Sequence, residues 1–138
     1  MTEIEMRRYL EEHFYAEKKI KALEAEKKQK RLNAQGGAIS YEENNTATKS
    51  NNTEIALMKI ADEEIEIDSE ITALRTKQRE IRDTISHLHD NDLESVLILK
   101  YIAHYKDEAI AKELHYAPRT VQSKLSRAIK RLSEKICV

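Results

Sequence analysis

The feature that most constrains this chain is a run of positions in alternating three- and four-residue steps from Leu57 to Leu88. Leu57, Ile60, Glu64, Ile67, Ile71, Leu74, Gln78, Ile81, Ile85 and Leu88 fall on one face of an α-helix, because 3.6 residues per turn brings such positions into line. All but Glu64 and Gln78 are apolar. A stripe of that length needs a partner helix, and its spacing is that of a coiled-coil seam. The two polar positions cost stability there and act on register or partner choice.

The partner lies upstream. Residues 3–33 contain neither Gly nor Pro and are rich in Glu, Lys, Ala and Leu, which favours helix. Met6, Tyr9, Leu10, Phe14, Ala16, Ile20 and Leu23 form an imperfect apolar stripe along it. Charge selects the orientation. The later part of this helix is basic (Lys18, Lys19, Lys21, Lys27, Lys28, Lys30, Arg31), and the early part of the second is acidic (Glu54, Asp62, Glu63, Glu66, Asp68, Glu70). Glu11 and Glu12 near the start match Arg75, Lys77, Arg79 and Arg82 near the end. Only an antiparallel hairpin, within one chain or swapped between two, places opposite charges together along both halves.

Gly36-Gly37 predict the end of the first helix. Residues 34–53 are polar and aperiodic and predict a long loop, with Asn52 or Thr53 as the N-cap of the second helix. Composition supports extended helices over a many-stranded globule. Charged residues reach 36%, with 2 Gly and 1 Pro, against roughly 25% charged in ordinary domains. No apolar run approaches the roughly 18 residues of a membrane span. The charged stretch Met1–Leu10 is no signal peptide, and the single Cys137 has no partner for an internal disulfide. A cytoplasmic protein is expected.

The last third changes character. Residues 96–138 carry nine basic and four acidic side chains in a chain of net charge −1, the local bias expected of a module that contacts DNA. Residues 92–102 predict an apolar helix with Asp92 as N-cap. Residues 106–114 predict a short helix in which Ala111 permits close approach by another. After the turn His115-Tyr116-Ala117, Pro118 opens a third helix running to about Lys135, since proline's missing N–H is harmless at a first helical position. Val121, Leu125, Ala128, Ile129 and Leu132 make its apolar stripe; Arg119, Gln122, Ser123, Ser126, Arg127 and Lys130 lie opposite. Two short helices and a third with such a face form a helix-turn-helix. Arg can bridge guanine, Gln can bridge adenine, and Ser adapts to either. Lys124, Lys130, Arg131 and Lys135 are suited to phosphates.

Residues 93–132 resemble region 4 of sigma-70-type factors, above all in Asp107-Glu108-Ala109-Ile110-Ala111-Lys112-Glu113-Leu114 and Thr120-Val121-Gln122-Ser123-Lys124-Leu125-Ser126-Arg127-Ala128. The layout also resembles small phage regulators of the ArpU/RinA type, which place such a module after a helical segment. The resemblance implies that Pro118, Arg119, Gln122, Ser123, Ser126 and Arg127 read promoter DNA. Two departures stand out: His115 occupies the family's usual turn glycine, and Ala117 its serine N-cap. The chain has no room for a sigma region 2, and with no Trp and one Phe it lacks the aromatic set that captures a melted strand.

The expected protein is thus all-α: a long antiparallel helical hairpin (coiled coil) at 1–90 with a loop at 34–53, then a three-helix helix-turn-helix domain at 91–138. Its expected role is that of a non-enzymatic phage or prophage transcription regulator. Double-stranded DNA is the expected partner, contacted through Pro118, Arg119, Thr120, Gln122, Ser123, Lys124, Ser126, Arg127, Lys130 and Arg131, with host RNA polymerase and a second copy of the chain as further partners. No cofactor is expected, and the five histidines (His87 and His89 on different faces, His104 and His115 without acidic or Cys company) predict no metal site. The rival readings are a phage packaging protein like a small terminase subunit and a protein module that occupies RNA polymerase.

Overall fold

The computed structural model describes the backbone at residues 1–42 and 47–136 and the side chains at 1–33 and 54–136. Among the described residues the chain is helical throughout and contains no strand. Helix α1 spans Glu3–Glu42 and α2 spans Ala47–Ser86. α3 covers Asn91–Leu97 and widens into a π-helical turn at Ile98–Ile102; α4 is Asp107–Leu114 and α5 is Pro118–Lys135. No helix is long and apolar enough to cross a membrane among the described residues.

The first helix does not stop at Gly36-Gly37. Each glycine costs about 1 kcal/mol against alanine inside a helix, but neither removes a backbone hydrogen bond, and α1 continues through both to Glu42. Residues 47–53, expected in a loop, are the first turns of α2, so Asn52 and Thr53 lie within that helix and not at its N-terminal boundary. Residues 43–46 of the expected loop fall outside the described residues.

The chain forms two compact units. One is Lys18–Leu74; the other joins Met1–Glu17 to Arg75–Val138. In the Lys18–Leu74 unit, α1 and α2 run antiparallel. Lys27 meets Asp68 at 2.9 Å, Lys30 meets Glu63 at 3.1 Å, and Arg31 grips Glu64 with two nitrogens. Ile20, Leu23 and Ile67 are buried there. Leu57 is 51% exposed, so the apolar stripe of α2 is uncovered at that end, and Leu32, Ile55, Met58 and Ile65 are exposed as well.

In the other unit the same two helices again run antiparallel. Lys77 pairs with Glu12 at 3.0 Å, and the Tyr9 hydroxyl meets that of Thr84 at 3.1 Å. Met6 and Leu10 of α1 and Ile81, Ile85 and Leu88 of α2 share one core with Leu93, Val96, Leu97, Tyr101 and Ile110 and with the apolar side of α5. A fully buried side chain of this kind contributes about 1.5–3 kcal/mol. Phe14 is 42% exposed, while His13, one residue earlier, is 8% exposed. The burial stripe of α1 therefore passes through Met6, Leu10, His13 and Ala16, and the apolar Phe14 lies off it. Gln78 is buried in its seam position and donates to the His13 carbonyl oxygen at 3.3 Å and to a Glu17 carboxylate oxygen at 2.9 Å.

Three reversals in this unit are made by histidine. His89, His104 and His115 have φ of 53°, 63° and 58°, the left-handed region where histidine is several-fold enriched among non-glycine residues. His104 follows the π-helical turn, in which the Ala103 N–H reaches back to the Ile98 carbonyl at 2.9 Å. Its ring lies against His13, with Nε2 3.2 Å from His13 Nδ1. The cap of α3 is Asp90 and not Asp92: Asp90 has extended backbone, and its carboxylate accepts from the N–H groups of Asp92 and Leu93. The Leu93 N–H, with Arg131 adding its charge, holds the Asp90 carboxyl below its ordinary value.

Candidate nucleic-acid interface

α4 and α5 are joined by three residues whose backbone fixes the angle between them. The N–H groups of His115 and Tyr116 both return to the Ala111 carbonyl, the second at 2.9 Å. This closure requires a left-handed residue just past the helix, which His115 supplies at φ 58° and ψ 43°. Ala117 is extended and its carbonyl accepts from Val121 at 3.2 Å, but it offers no side-chain cap. Pro118 follows at the first helical position, leaving one fewer unpaired N–H to satisfy. Asp107 and Glu108 sit in the first turn of α4, where acidic groups complement the helix dipole, and Asp107 also holds Lys100 at 2.6 Å.

α5 divides into two faces. Val121, Leu125, Ala128, Ile129 and Leu132, the stripe read from spacing, are all buried, and Ser133 joins them. Ala111 of α4 is buried too, as close helix packing requires. On the other side Pro118, Arg119, Gln122, Ser123, Ser126, Arg127, Lys130 and Arg131 are exposed, and Thr120 and Lys124 are half-buried. The polar residues expected to reach DNA thus share the side of α5 that packing leaves open.

The cations on this helix are not equivalent. Lys124 lies 3.9 Å from an Asp92 carboxylate oxygen, with its ammonium 5.1 Å from the centre of the Tyr116 ring. Arg131 pairs with Asp90 at 3.2 Å. Lys135 donates to the His87 and Leu88 carbonyls at 2.9 and 3.2 Å, closing the C-terminal end of α2. Arg119, Arg127 and Lys130 make no ion pair among the described residues and stand open to solvent. Spacing groups Lys124, Lys130, Arg131 and Lys135 as alike; only the fold separates the cations with internal work from Lys130, which has none. The role of Tyr116 beneath Lys124 carries no sequence signal, because neither residue is near the other in helical register.

Residues 78–132 match the family model of sigma-70, region 4, over less than half of the chain. The match begins at Gln78 inside α2, ahead of the helix-turn-helix itself. No curated protein and no solved structure matches the chain. Sigma-70 region 4 is a DNA-binding regulatory domain, and such domains bind DNA and RNA polymerase.

Proposed function

We propose that this protein is a sequence-specific DNA-binding regulator of transcription that reads the major groove with the open side of α5. The observation that carries this reading is the division of α5. One side is anchored in the core by Val121, Leu125, Ala128, Ile129 and Leu132. Arg119, Gln122 and Arg127 project into solvent, and among the described residues no internal ion pair competes for the two cations. Arg119 and Gln122 lie near the N-terminal end of α5, the part of a recognition helix that reaches base edges. Ser123 and Ser126 beside them adapt to neighbouring bases. Lys130 is the open cation further along and takes a phosphate, whereas Lys124 and Arg131 reach phosphates only by giving up Asp92 and Asp90.

One helix-turn-helix buries a modest interface, so useful specificity calls for a second copy or for RNA polymerase. The exposed Ile55, Leu57, Met58 and Ile65 on α2 support self-association through a coiled coil. RNA polymerase is the second proposed partner, on the strength of the region 4 match. We place the regulator in the cytoplasm of a bacterial host, as a phage or prophage product.

The test is selection of bound sequences from a random duplex library by the purified chain, repeated with Arg119→Ala and Gln122→Ala together. A defined motif is expected, and abolishing each bidentate pairing with a base should remove about 1–3 kcal/mol of discrimination. A motif that survives the double variant unchanged, or no motif at all, rejects the reading.

A further inference from the structure

Charge order along the hairpin predicts that Arg75, Lys77, Arg79 and Arg82 find Glu11 and Glu12 across the helix pair. Lys77 does, meeting Glu12. Arg79 and Arg82 do not: neither enters an ion pair among the described residues. Both are exposed, and with Arg75 they recur along one side of α2, a helical turn apart, where like charges repel. Together with His13 and Gln78 these three arginines line an open concave site of about 250 Å³, all of it within the unit that holds the helix-turn-helix.

The floor of this site is ordered. Gln78 is buried and held by its bonds to the His13 carbonyl and the Glu17 carboxylate. His13 is buried and has its ring nitrogen against His104. Its pKa is held below the ordinary value by burial first and by His104 next, with Arg82 acting in the same direction and Glu17 against it. Arg82 is thus close enough for its charge to be felt at the floor. Two guanidinium forks a turn apart approach a ligand from different directions. One fork, side on, engages both oxygens of a planar carboxylate and leaves a second fork only the outer lone pairs. The three or four oxygens of a phosphate, set tetrahedrally, accept from both forks and carry more charge.

We infer that the concavity formed by His13, Gln78, Arg75, Arg79 and Arg82 is a phosphate-binding site, taking either a free phosphate or a backbone phosphate of nucleic acid. It is separate from the open side of α5 and stands whether or not that helix reads bases. The test uses the full chain and the variant Arg79→Gln with Arg82→Gln; glutamine is about as good a helix former as arginine, so α2 is retained, as circular dichroism will verify. In NMR titrations with inorganic phosphate, against chloride at matched ionic strength, the Gln78 side-chain amide and the His13 ring should shift saturably. The His13 pKa should rise, because a bound anion favours the imidazolium. Both responses should vanish in the variant. Binding of an unrelated-sequence duplex, followed by fluorescence anisotropy over a salt series, distinguishes the sources. A log–log salt slope shallower by about 2 in the variant assigns the site to backbone phosphate; an unchanged slope with the phosphate response present assigns it to a free phosphate. No shift beyond that of chloride together with an unchanged slope, or an equal response in the variant, overturns the proposal. The Arg119→Ala, Gln122→Ala chain should keep the phosphate response, so failure of base reading and failure of this site are told apart.

Discussion

Replacing Leu10 by Ala tests whether the start of α1 belongs to the same core as the helix-turn-helix. Leu10 is 0% exposed and clusters with Ile81, Ile85, Leu97, Tyr101, Val121 and Ile129. The substitution removes three carbons from that core. At about 0.8 kcal/mol for each, the transfer loss is about 2.4 kcal/mol, and the cavity left in a core that closes only partly brings the expected cost to about 3–4 kcal/mol. A small protein has about 5–15 kcal/mol in total, so the effect is large. Urea unfolding followed by circular dichroism, at fixed protein concentration, should show an earlier midpoint with little change in slope. Ile4, also on α1 but 68% exposed, is the control, and Ile4→Ala should stay within about 0.5 kcal/mol of the parent. A Leu10→Ala cost below about 1 kcal/mol would mean that α1 only rests on the helix-turn-helix and is no part of its core.

Three further outcomes follow from the geometry. The fragment 91–138 should fail to unfold cooperatively, because it lacks Met6, Leu10, Ile81 and Ile85 from its core; a sharp urea transition in the fragment would contradict this. His115→Gly should leave stability unchanged or raise it by up to about 1 kcal/mol, since relief of a left-handed β-carbon is partly offset by the greater freedom of glycine when unfolded. A clear loss in thermal midpoint would assign the imidazole an interaction of its own. Stability should decline as pH falls below about 6.5, because the unfolded chain then takes up a proton at His13 more readily than the folded chain, where burial and His104 lower its pKa. His13→Gln should flatten that part of the pH profile, measured as urea midpoints between about pH 8 and 5.5.

The stripe of α5, its start at Pro118, the antiparallel sense of α1 against α2 and the all-helical class were legible in the chain itself. Each depends on a property that survives without knowledge of the fold: a period of 3.6, a missing N–H, or the order of charges along a line. What the tertiary structure alone decided depends on which side chains arrive from elsewhere. His13 rather than Phe14 faces inward, because the line of burial on α1 is set by its partners and not by the most apolar side chain nearby. Asp90 rather than Asp92 caps α3, since only its backbone is extended. Lys124, Arg131 and Lys135 are held by Asp92, Asp90 and the end of α2, while among the described residues Arg79 and Arg82 pair with none of the carboxylates that charge order assigns them. Electrostatic attraction between exposed charges is screened beyond about 8 Å in physiological salt, so whether a charge is occupied is settled by the few neighbours folding brings within that range.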